Sequence, residues 1–144
     1  MYISLQCQTN YSVKKQEMKT NTIIYWVSTA LLSVMMIFSA YSYFTNPDII
    51  GAFKHLGFPD YFRKELAIAK IAGAIILILP QVPVKIKDWA YAGFGITFLS
   101  AVYAHLSLGD PASVAMAPAI FFVVLVVSAV FLHRKNKAVV LSVQ

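Results

Sequence analysis

Lys70 stands inside an apolar run from Tyr61 to Leu79, and no other charged residue in the sequence needs explaining as much. An ammonium within a bilayer costs about 3 kcal/mol on insertion scales unless it meets water or a partner. Arg63 lies about 10 Å earlier along the same helix. A lysine that snorkels to the surface would be the plain explanation. Its neighbours argue otherwise. Ala67, Gly73 and Ala74 share its face at helical spacing, and small residues mark the faces where helices approach each other. Lys70 therefore reads as pointing into a bundle, as a candidate ligand-binding residue.

His105 gives a matching signal from the next apolar run. Gly93, Thr97, Ala101 and His105 recur at helical spacing, so a small-residue stripe ends in an imidazole. An interfacial histidine bonded to a carbonyl or water is the structural alternative. Together Lys70 and His105 offer donors suited to the two carbonyls of a quinone-like head group, or to a small anion. Tyr41 and Tyr103 are the aromatic candidates for the pocket wall. Asp110 is read first as the N-cap of the last helix, a role compatible with pairing to Lys70 or His105. Glu65 lies about 140° off the face of Lys70, so no salt bridge is expected between them.

The chemistry that is missing narrows the function. The only cysteine, Cys7, excludes an intramolecular disulfide, a CxxC redox pair and a cysteine zinc site. His55, His105 and His133 are widely separated and show no metal-ligand spacing, so no metal is expected. Phosphate-binding loops, HExxH and nucleic-acid motifs are absent. No nucleophile, base and orienting group can be assembled, so the catalytic residues are unknown and an independent enzyme is the least supported class.

The elements that must position these residues are helices in a membrane. The chain has 144 residues, 59% hydrophobic and 12% charged, with a net charge of +6. Soluble domains carry about a quarter charged residues, so this share points to a lipid-facing surface. The apolar runs predict four transmembrane helices: Thr22 to Phe44, Tyr61 to Leu79, Lys87 to Leu108, and from Pro111 to Leu132 with a kink at Pro118. The fold class expected is all-α, an integral membrane four-helix bundle within residues 22–134. A short amphipathic helix from Asp48 to Leu56 lies between the first two spans, on the membrane surface. Asp60 is a candidate N-cap. Residues 1–21 read as a disordered cytoplasmic tail, with Met18 an alternative start, and residues 135–144 as a second cytoplasmic tail.

Basic residues set the orientation. Lys14, Lys15, Lys19, Lys85, Lys87, Arg134, Lys135 and Lys137 fall on one side, against Lys54, Arg63 and Lys64 on the other. The excess of lysine and arginine places both termini in the cytoplasm. Tyr25, Trp26 and Trp89 then mark the inner interface, where Asp88 with Lys85 and Lys87 reads as a solvated helix start. Tyr41, Tyr43, Phe44 and Tyr103 mark the outer interface.

The motifs Leu56-Gly57-Phe58-Pro59, Ala69-Lys70-Ile71-Ala72-Gly73-Ala74 and Lys87-Asp88-Trp89-Ala90-Tyr91-Ala92-Gly93 resemble, in that order, the DoxX-like family of membrane proteins. Ala104-His105 and Gly109-Asp110-Pro111 extend the resemblance, which covers about residues 22–134. It implies a small bacterial four-helix bundle in the cytoplasmic (inner) membrane. The wider DoxX and DoxD group is associated with quinone-linked sulfur oxidation and with membrane complexes handling oxidative or thiol stress. No cysteine lies in any span, so redox work would need a bound quinone or a partner subunit to supply the redox centre.

Three functions stay open at this point. The first is a ligand-binding or accessory membrane subunit linked to membrane redox processes. The second is a small transporter, although the first span lacks the carboxylate on which four-helix exporters depend. The third is a structural or assembly subunit. The partners expected are the lipid bilayer and a membrane partner subunit or second copy, with no nucleic acid.

Overall fold

Between Tyr2 and Thr45 no proline or glycine interrupts the chain, and this whole stretch forms one helix, α1 (Tyr2–Thr45). The computed structural model describes the backbone of residues 2–143 and the side chains of residues 12–139. Residues 2–21, expected as a disordered tail, thus continue α1. Thr20 and Thr22 help by donating back to the carbonyls of Gln16 and Met18, at 3.1 and 2.8 Å. The side chain of Cys7 lies outside the described residues.

Four further helices follow: α2 (Pro47–His55), α3 (Asp60–Ile78), α4 (Val84–Ser107) and α5 (Ala112–Val143). The described residues form no strand, so the fold is all-α. Asn46 caps α2 by accepting from the Asp48 amide at 2.9 Å, with Pro47 at the first helical position. Gly57 and Gly109 stop α2 and α4 in the left-handed region, at φ 77° and 74°, where a side chain would be strained.

Two caps differ from expectation. Pro59 takes the N-cap position of α3. That leaves Asp60 in the first turn, where its carboxylate pairs with Arg63 and, at 3.0 Å, with Lys64. Asp110 does not cap α5 either, because its carboxylate is engaged by two histidines. Helix α5 accommodates Pro118 in its interior and runs past Leu132, the end expected from hydropathy.

The four long helices pack in a ring. Helix α1 lies against α3 and α5, while α4 lies against α5 and, over a shorter stretch, α3. Helix α2 rests on α1 and α3 through buried Phe53, whose ring meets Tyr43 edge-on at 4.9 Å. The core includes Leu32, Met36, Leu77, Phe94, Phe98 and Leu125. Gly73 is needed at the α3–α4 contact: a Cβ there would sit 2.6 Å from the Phe94 ring.

Among the described residues, two helices are long and apolar enough to cross a membrane, Ser12–Thr45 and Ala112–Val139, whose apolar stretches reach mean hydropathies of 1.9 and 2.7. Large apolar side chains also cover the outside of α3 and α4, among them Ile68, Ile71 and Ile75, and Ile86, Ile96 and Leu99.

Candidate functional site

Lys70 is 5% exposed. Its face of α3 also buries Ala67, Gly73 and Ala74, which leave room for the long side chain to turn inward. The ammonium donates to Ser39 Oγ at 2.9 Å and Tyr43 OH at 2.5 Å, both from α1, and stands 4.0 Å from the centre of the Tyr43 ring. Two hydroxyls and an aromatic face hold the charge. Among the described residues no carboxylate pairs with it.

Lys70 borders a partly open cavity of about 350 Å³ lined by α1, α4 and α5 and bordered by Ile49 of α2. His105 borders the same cavity, as do Ser39, Tyr43, Thr97 and Pro118. Two candidate residues from separate helices therefore meet around one space. Pro118 has no N–H to give the carbonyl of Val114, and both of these residues border the cavity too. A wider depression of about 590 Å³ lies between the Ser12 to Asn21 stretch of α1 and Arg134, but mostly exposed side chains line it.

Asp110 joins α2 to the end of α4. It accepts from His105 Nδ1 at 2.8 Å and from His55 Nε2 at 3.2 Å. These bonds, His105 first and His55 second, hold its carboxyl below the usual carboxylate range. His105 is thus oriented at the cavity edge by a carboxylate. No group of three or more metal-ligating side chains that could hold an ion occurs among the described residues.

The DoxX-like family model matches residues 27–129, a stretch that contains Ser39, Tyr43, His55, Lys70, His105 and Asp110. The chain belongs to the DoxX-like family. No curated protein and no solved structure matches it. Family membership together with the two apolar helices makes this DoxX-like chain a membrane protein.

The other candidates are placed differently. Tyr41 and Tyr103 point away from the cavity, at 63% and 74% exposure. Tyr43 takes the role expected of them. It follows Ser39 by one helical turn, and that spacing was the signal available in the sequence. Gly93 is exposed, and Thr97 and Ala101 are half-buried, so the stripe on α4 is not its buried face; Tyr91, Phe94 and Phe98 are. Bulky rings fill the space there, and the small residues line open concavities instead. Arg63, read as a surface cation, is 5% exposed, and its Nη1 has no partner among the described residues.

A second buried lysine, from α4, sits against the C-terminal end of α3. Lys87 was read as part of a solvated helix start, yet it is 3% exposed. It donates to the carbonyl of Leu77 at 2.9 Å and to Tyr25 OH at 3.0 Å. Leu77 is in the last turn of α3, where carbonyls lack helical donors and a cation complements the dipole. Tyr25, expected at an interface, is 1% exposed for the same reason. Nearby, Ser128 Oγ joins Thr29 Oγ1 at 2.7 Å and Tyr91 OH at 2.6 Å, tying α1, α4 and α5 together. Asp88 turns away from both neighbouring lysines to pair with His133 at 3.1 Å.

Proposed function

We propose that this DoxX-like protein is a multi-pass protein of the bacterial inner membrane that binds a ligand with an anionic head at Lys70. In this reading α1, α3, α4 and α5 cross the bilayer as a four-helix bundle with both termini in the cytoplasm. Helix α3 has 19 residues and α4 has 24, or about 28 and 36 Å of helix, against a hydrocarbon core of about 30 Å. Their apolar outer faces and the lysine and arginine excess toward the termini support the same topology.

The observation that carries the ligand reading is a buried ammonium beside a cavity, held by hydroxyls and by no carboxylate. A charge taken out of water is costly until an opposite charge joins it. An anion entering the cavity would supply that charge. His105, already oriented by Asp110, borders the same space and would give a second donor. An accessory role follows, in which the protein holds a ligand for a membrane process.

His105 also supports a second reading, in which Lys70 and His105 hydrogen-bond the two carbonyls of a quinone-like head group. Such a group would supply electron-transfer chemistry, and this chain would bind and orient it. The uncompensated charge on Lys70 favours the anion. Transport of the ligand and assembly with a partner subunit are the remaining alternatives.

Native mass spectrometry in lipid nanodiscs tests the reading, with Lys70→Ala and His105→Ala beside the wild type. The expected result is a small acidic molecule on the wild type that is lost from folded Lys70→Ala. A neutral quinone would favour the second reading. Empty protein in all three samples with a partner retained would replace ligand binding by an assembly role, and flux of the anion into protein-containing vesicles would mark a transporter.

A further inference from the structure

A groove of about 450 Å³ runs between α3 and α4, where the helices meet over a shorter stretch than the other neighbours in the ring. Its walls are almost wholly apolar, with Leu66 and Ile76 on one side and Ile86, Ala90 and Phe94 on the other. Small residues open it. Ala69, Ala72 and Gly93 all border it and are exposed, and a Cβ on Gly93 would meet nothing within 4 Å.

Lys70 and Thr97 border both this groove and the cavity that contains His105. Lys70 is therefore a wall shared by the two spaces. A ligand head at Lys70 has an apolar channel leading away from it, along the outside of the helix ring. From Lys70 to Ile76 the groove follows about 9 Å of α3, the reach of a short acyl chain or of the first part of a longer one.

Resting on the anion reading above, we propose that the ligand is a single-chain amphiphile with a carboxylate head, the chemistry of a fatty acid, taken up sideways from the bilayer. The carboxylate pairs with Lys70, and its second oxygen is free for a donor in the cavity. The chain lies in the α3–α4 groove. Charge complementarity selects the head, because the groove is bordered by a cation with no carboxylate partner among the described residues. Chains in lipid already have apolar surroundings, so the groove adds position and fit, and the ion pair supplies selectivity.

A fatty acid carrying a photoreactive diazirine in mid-chain tests this in phosphatidylcholine nanodiscs, with crosslinked residues mapped by mass spectrometry. Crosslinks should concentrate on residues 66–97 and fall roughly tenfold or more in Lys70→Met, the share of a charge-assisted hydrogen bond. Gly93→Leu, at an open and exposed position, should remove the groove crosslinks while sparing Lys70-dependent binding of butyrate in detergent. Crosslinks spread evenly over the lipid-facing sides of α1 and α5 would overturn the proposal, as would competition by a two-chain anionic phospholipid in preference to unlabelled fatty acid. If butyrate binds through Lys70 but the chain does not localise, this inference fails and the anion site stands. If neither butyrate nor the fatty acid depends on Lys70, both fail.

Discussion

Lys70 and Lys87 are both almost fully buried, at 5% and 3% exposure, yet their surroundings ask different things of an ammonium. Lys87 closes a helix end. It satisfies a carbonyl that α3 cannot satisfy itself, and Tyr25, Thr29, Ser128 and Tyr91 fill the space around it with short hydrogen bonds. Lys70 lies in the middle of α3, where every neighbouring carbonyl already has its helical donor. Its partners are two hydroxyls, and beside it lies open space. One lysine closes a helix end, while the other is held by two hydroxyls beside open space.

The contrast is broken most directly by removing each charge. Lys87→Met should cost about 2–3 kcal/mol of unfolding free energy, because it leaves the Leu77 carbonyl and the Tyr25 hydroxyl buried without their charged donor. Lys70→Met should change stability by less than about 0.5 kcal/mol or raise it, since an uncompensated buried charge disappears. Unfolding of the purified protein in mixed detergent micelles measures both. Equal losses would mean that the two lysines are structural in the same sense.

Gly73→Ala probes the α3–α4 contact that separates the two ends. The added methyl group meets the Phe94 ring, and overpacking of this kind costs about 1–3 kcal/mol. The same unfolding assay reads the loss. A variant as stable as the wild type would mean that the ring swings aside freely.

Ser128→Ala sharpens the account of the Lys87 end. It removes the hydroxyl shared by Thr29 and Tyr91 and should cost about 1 kcal/mol, with no effect on ligand at Lys70. A loss of ligand binding in this variant would join the two ends into one network.

The smallest effect is expected at Asp110, and it shows as a pH dependence. Histidine donors hold its native carboxyl below the ordinary carboxylate range. Its contribution is therefore complete above that range and fades as pH falls through the lowered native value. His105 on α4 and His55 on α2 are the groups that face it. Asp110→Asn should flatten the acid limb by lowering stability slightly at neutral pH while leaving the acid end unchanged. An acid limb identical to the wild type would remove Asp110 from the acid response.

The helical class and the positions of the apolar segments were legible because hydropathy and helix breakers act locally. Pro47, Pro80 and Pro83 stop or start helices whatever surrounds them. Lys70 was legible too, because an ammonium in an apolar run is anomalous without any knowledge of neighbours. Its partners were harder to read. Tyr41 and Tyr43 are both aromatic and close in sequence, and only the rotation of α1 against α3 decides which one meets the ammonium.

Lys87 was misread for the opposite reason. Next to Lys85 and Asp88, at the start of a helix, it has the composition of a solvated terminus. It is buried because the C-terminal end of α3 and Tyr25 of α1 are brought against it from distant parts of the chain. By itself the sequence determined which runs are apolar and helical and that one lysine lies within such a run. The tertiary structure alone decided which polar groups face each other, because side-chain partners across helices depend on helix rotation and depth, and neither is encoded in local periodicity.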